Sequence, residues 1–291
     1  MATRWLPLLL LLWVAATHQT ASAQQFRGVA SFAAMHPGFP CDRWLSIYGE
    51  ALKRKPDLLP AMVVLWGDFG SDETCVKRFA DVFRDRPHVI EVHFANGPGR
   101  RNRQLAEGSF FPEWSVEELN VRLASGDFVA LGGVHWVMRE IERFAARVEN
   151  PNTRWLVSWE LESNLTPAAA VMWEAHYRTL VALGELRSFA LVANPHSPQW
   201  FGGAEFREFH SRTGKPSGVP NCVANEDGNY DQSVSDSRAF LKRYRSCAVA
   251  LLWRGAHQGR TKASAFTLPR SREFVVSDRD IIELGKLLSE D

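Results

Sequence analysis

Trp155-Leu156-Val157-Ser158-Trp159-Glu160-Leu161-Glu162-Ser163-Asn164 is an apolar, strand-like run that stops abruptly at two glutamates spaced i, i+2. Strand side chains alternate between faces, so Glu160 and Glu162 point the same way from the strand's exit, and Asn164 continues that face. Carboxylates crowded at the end of a buried strand are costly unless they are paired, hydrogen-bonded or used in chemistry. In an α/β barrel, active sites lie at this end of the strands. The stretch therefore points to an α/β enzyme.

Working outward, strand-like runs alternate with amphipathic helical ones, the pattern of a largely parallel α/β fold. Strands are expected over 26–35, 61–66, 89–94, 154–159, 189–193, 220–224, 248–253 and 274–276. Helices are expected over 42–55, ended by Pro56, and over 71–84 with Ser71 as N-cap. Ser115-Val116-Glu117-Glu118 reads as a capping box opening helical periodicity that runs, with interruptions, to Val148. Thr166-Pro167 opens another helix with proline in its first turn, and 231–244 and 278–288 complete the set. The count suits a (β/α)8, TIM-like barrel in the α/β class, with irregularity expected near its last strands. A doubly wound open sheet is the rival; the chain lacks the G-x-G-x-x-G turn of its nucleotide-binding versions.

The first residues read as an export signal: Arg4, an apolar core from Leu6 to Val14, and the small-residue site Ala21-Ser22-Ala23. The apolar run is short for a membrane-spanning helix, with an uncleaved anchor as the alternative; after its removal no stable membrane insertion is expected. Removing 23 of 291 residues leaves 268, a usual size for a single catalytic barrel domain over 24–291. A secreted or periplasmic location suits the four cysteines, which show no zinc-ligand spacing. Proximity along the chain favours Cys41–Cys75 and Cys222–Cys247, although four cysteines allow three connectivities. Charge is nearly balanced, with 34 basic and 33 acidic side chains, and lacks the basic footprint of a nucleic-acid binder.

Polar residues recur at the expected strand exits. Asp68 follows the second strand, His93 and Asn96 the third, Glu160 and Glu162 the fourth, and Asn194 and His196 the fifth. Asn225, Glu226 and Asp227 follow the run at 220–224, and Trp253, His257 and Gln258 the run at 248–253. Taken singly, each is an ordinary loop cap or solvated group, and Asp227-Gly228 is a common turn pair. In a closed barrel the exits converge on one rim, so the repetition argues for a site. The 95–113 loop carries Arg100, Arg101 and Arg103, which either bind an anionic group or are simply solvated. Among 11 tryptophans, Trp66, Trp159 and Trp253 end apolar strands, where they either stack on a sugar ring or cap the core.

Ser158-Trp159-Glu160-Leu161-Glu162 resembles the strand-four signature of barrel glycoside hydrolases, as in the chitinase-like and barrel lysozyme-like families. The resemblance implies Glu162 as general acid and Glu160 as its acidic neighbour. Two departures stand out: Ser158 replaces the first acid of the chitinase-like pattern, and Glu160 replaces an aspartate. Glycosidic cleavage needs a protonated carboxyl and a second carboxylate, for which Asp227 is the candidate, unless the substrate's own acetamido group attacks. The implied partner is a polysaccharide or glycan, with no cofactor and no metal. Substrate-binding candidates are Trp66, Asp68, His93, Asn96, Arg100, Trp159, Asn194, Trp253 and Gln258. A rival reading is a metal-dependent phosphodiesterase built from Asp68, His93, Glu160, Glu162, Asp227 and His257. A third is a catalytically silent barrel that binds sugars through its aromatic rim.

Overall fold

The structure, a computed structural model, describes residues 25–30, 39–66, 73–94, 114–159, 165–193, 204–210, 221–226, 234–252 and 276–290. Eight parallel strands close into a barrel in chain order, which removes the open-sheet rival. They are β1 Phe26–Ala30, β2 Leu59–Trp66, β3 His88–Phe94, β4 Thr153–Trp159, β5 Ala190–Ala193, β6 Phe206–His210, β7 Cys222–Asn225 and β8 Val249–Leu252. The described helices are α1 Cys41–Arg54, α2 Thr74–Val82, α3 Val116–Ala124, α4 Phe128–Val148, α5 Pro167–Ala182, α6 Val234–Arg243 and α7 Asp278–Ser289. No helix among the described residues is long and apolar enough to cross a membrane.

The strands carry apolar residues on both faces because both faces are covered. Phe26, Ala61, Val63, Val89, Leu156, Val192, Val223, Val249 and Leu251 pack together inside the barrel. The alternate residues, among them Val29, Met62, Ile90, Val92, Val157, Leu191 and Leu252, face outward into a larger core shared with the helices. Alternation alone thus sorts each strand between lumen and helix layer.

Local signals set most boundaries. Ser115 Oγ accepts from the Glu118 N–H at 3.1 Å, as a capping serine should, and Thr166 Oγ1 accepts from Ala169 N–H at 3.3 Å. The interruption expected after Ser115 is a break between α3 and α4. There Gly126 takes a φ of +72°, which favours glycine, and Asp127 accepts from the N–H groups of Val129 and Ala130 to start α4.

Three sequence expectations are corrected. The ladder partner that closes the barrel onto β1 is Val249–Leu252, so the eighth strand is not at 274–276, and Val276 lies outside any strand. The shift arises because Phe206–His210 forms β6, a strand the pattern did not suggest: FREFH mixes charged and aromatic residues over only five positions. Finally, α2 starts at Thr74 with Glu73 as its N-cap, not at Ser71, which lies outside the described residues. Glu73 makes no side-chain cap; its carboxylate binds Arg147 of α4 through two hydrogen bonds of 2.8 and 3.0 Å.

Both expected disulfides form. Cys41–Cys75 joins the first turns of α1 and α2 with Cα atoms 5.5 Å apart, and Cys222–Cys247 joins the entry of β7 to the residues before β8 at 4.6 Å. Between β1 and β2, the buried Tyr48 hydroxyl of α1 accepts from Val29 N–H at 3.1 Å and donates to Ala61 O at 2.6 Å. Gly28 permits this close seam, since a Cβ there would stand 1.6 Å from Ala61 O.

Candidate functional site in the barrel lumen

The inward face changes character toward the carboxyl ends of four strands. On β3 the sequence of inward residues is Val89, Glu91, His93; on β4 it is Leu156, Ser158. On β6 it is Phe206, Glu208, and on β7 Val223, Asn225. Register places Ser158 beside His93 across the β3–β4 ladder. All five polar residues are buried, His93 being 4% exposed and Glu91 and Glu208 fully enclosed.

The side chains meet across the lumen. His93 Nε2 lies 3.1 Å from Glu91 Oε1 and 3.8 Å from Glu208 Oε1, although β3 and β6 stand on different walls of the barrel. Asn225 Nδ2 donates to the same Glu208 oxygen at 3.2 Å, holding that carboxylate in place. The Ser158 hydroxyl is fully buried on this face and has no hydrogen-bond partner among the described residues. One donor atom each from Glu91, His93 and Glu208 fall within 4.8 Å of one another, a spacing at which the three could hold a metal ion. Bringing ionisable groups out of water costs several kcal/mol per ion, so they must compensate one another or a ligand.

Of the sequence-selected residues, the structure brings His93 into this cluster. Asn225, singled out as an exit residue, joins it. Glu226 does not: its Oε1 accepts from Ser237 Oγ of α6 at 2.8 Å, and its N–H extends the ladder to Leu251 O. Glu226 therefore ties β7 to the helix layer. Trp66 and Trp159 end β2 and β4, with side chains outside the described set. Asp68, Asn96, Arg100, Glu160, Glu162, Asn194, His196, Asp227, Trp253, His257 and Gln258 lie outside the described residues.

Glu91 and Glu208 were not selected from the sequence. The signal for the first was present: Glu91-Val92-His93 puts two polar side chains on one face of an otherwise apolar strand. That for Glu208 was concealed because its strand was not assigned. No protein-family model matches the chain, and no curated protein matches it.

Proposed function

We propose that the chain is an exported (β/α)8-barrel hydrolase of the glycoside hydrolase type, acting on a polysaccharide or glycan at the carboxyl-end mouth of the barrel. The observation that carries this reading is the shared change from apolar to polar on the inward faces of β3, β4, β6 and β7. All four change toward the strand ends where barrel enzymes do their chemistry. Glu160 and Glu162 follow Ser158 at two and four positions, next in the same alternation. In this reading Glu162 is the general acid and Glu160 supports it. Asp227, two positions after Asn225, is the second carboxylate, with substrate assistance as the alternative. The two disulfides suit an oxidising compartment, in keeping with residues 1–23 as a cleaved signal and a mature chain from Gln24.

The second reading, a metal-dependent phosphodiesterase, draws support from the donor spacing of Glu91, His93 and Glu208. A panel of polysaccharides and phosphodiesters, assayed with the wild type and with Glu162→Gln, separates the two. Glutamine keeps the shape and removes the transferable proton. Glycan turnover should fall roughly 10²–10⁴-fold, the usual worth of a positioned acid, with binding nearly unchanged. Near-normal glycan turnover in the variant sinks the role of Glu162. Activity on phosphodiesters alone, abolished by chelator, transfers the assignment to the second reading.

A further inference from the structure

We infer that Glu91, His93 and Glu208 form a binding site for one divalent transition-metal ion of the zinc or manganese kind, set in the lumen beneath the mouth of the barrel. The site is independent of which bond the protein cleaves. Four observations converge on it.

The donor set comes first. Two carboxylate oxygens and one imidazole nitrogen suit zinc or manganese better than magnesium or calcium, which favour all-oxygen surroundings. Spacing comes second. Ligands about 2.1 Å from an ion and set at tetrahedral or octahedral angles stand about 3.0–3.4 Å apart. His93 Nε2 and Glu91 Oε1 already stand 3.1 Å apart, and the 3.8 Å to Glu208 Oε1 would need to shorten by about 0.4–0.8 Å on binding. Third, Asn225 Nδ2 donates to Glu208 Oε1, the kind of outer contact that orients a ligating carboxylate.

The fourth observation is independent of the acidic residues. Ser158 Oγ is fully buried beside His93 and has no hydrogen-bond partner among the described residues. A buried hydroxyl without a partner is costly, which calls for an explanation. A water ligand on an ion held by the three side chains would supply the missing partner.

The test uses the mature chain with its disulfides intact, stripped with chelator and dialysed. Isothermal titration with zinc and with manganese should each be saturable, at least one of them at one ion per chain with micromolar or tighter affinity, and magnesium should bind at least tenfold more weakly. Glu91→Gln/Glu208→Gln and His93→Gln should each weaken the tighter ion at least 100-fold. Absence of saturable binding by both ions overturns the proposal and leaves a Glu–His–Glu hydrogen-bonded network. Undiminished binding in folded variants overturns it too, because the ion then sits on other side chains. Should the variants fail to fold, X-ray absorption on the zinc-loaded wild type decides: a single imidazole in the shell supports the site, and two or more refute it.

Discussion

Tyr48→Phe isolates one oxygen atom in the seam between β1 and β2. The ring itself stays: it packs edge-on against Trp44, Phe79 and Phe83, with centroids 5.0, 5.4 and 5.5 Å away. What is lost is the hydroxyl that serves Val29 N–H and Ala61 O, both fully buried. Each backbone group left without a partner costs about 1–3 kcal/mol. The strands can close part of the gap, so the total should be about 2–4 kcal/mol. For a domain of this size each kcal/mol moves the melting temperature by roughly 2–4 °C, so the midpoint should fall by about 4–16 °C. Burial also pushes the Tyr48 phenol far above its ordinary value, so it stays a donor at any working pH. Tyr177 supplies the comparison. Its hydroxyl accepts from Phe189 N–H at 2.7 Å and donates to Arg187 O at 3.2 Å, but Arg187 is exposed and water can replace that partner. Tyr177→Phe should therefore cost less, about 1–2 kcal/mol. Urea unfolding of both variants beside the wild type checks the pair. A Tyr48→Phe loss below about 0.5 kcal/mol would refute the claim that the hydroxyl completes the seam.

Two further predictions concern stability. Replacing Cys222 and Cys247 by alanine opens a link spanning 25 residues; chain entropy puts the loss at about 3.5 kcal/mol, measurable by urea unfolding. An unchanged midpoint would contradict this account. His88 is buried, with Nδ1 3.1 Å from Arg86 O and Nε2 2.8 Å from Thr153 Oγ1. A carbonyl only accepts, so Nδ1 carries the proton and Nε2 accepts from the threonine hydroxyl. Desolvation by burial holds the ring's pKa below the ordinary 6.5. The unfolded chain therefore binds this proton more readily, and stability should decline as pH falls through 6.5 toward the folded value. Melting curves between pH 8 and pH 5 should show a smaller decline in His88→Asn than in the wild type; equal declines would remove His88 as a cause.

The elements legible in the sequence are those whose local chemistry agrees with their surroundings. β2, β3 and β4 carry apolar runs on both faces because the barrel covers both, and α3 and α5 announce themselves through Ser115 and Thr166. β6 was not legible, because Glu208 faces the lumen while Arg207, on the alternate face, lies over the Phe209 ring with its guanidinium 5.2 Å from the centroid. Alternating charged residues ordinarily mark a half-solvated strand or a loop. Without β6 the pattern is one strand short of eight, and 274–276 is the remaining strand-like run in the sequence.

Glu91 escaped notice for a related physical reason. In HVIEVHF, two polar residues on one face usually mean that the face meets water. Closure of the barrel reverses this, turning that face into the lumen, where Glu91 and His93 come against Glu208 from β6. Nothing local to β3 reveals the closure; it depends on β8 pairing with β1 at the far end of the chain. Well-packed apolar side chains in place of a buried ionic cluster are often neutral or stabilising, so packing alone gives little reason for such a cluster. The lower lumen, filled by Phe26, Leu156, Val192 and Val249, shows that this barrel has the residues for an apolar interior. The polar layer is confined to the end of the strands from which the mouth opens. Departures from core chemistry tend to fall at functional sites, and this one falls where a barrel presents its ligands.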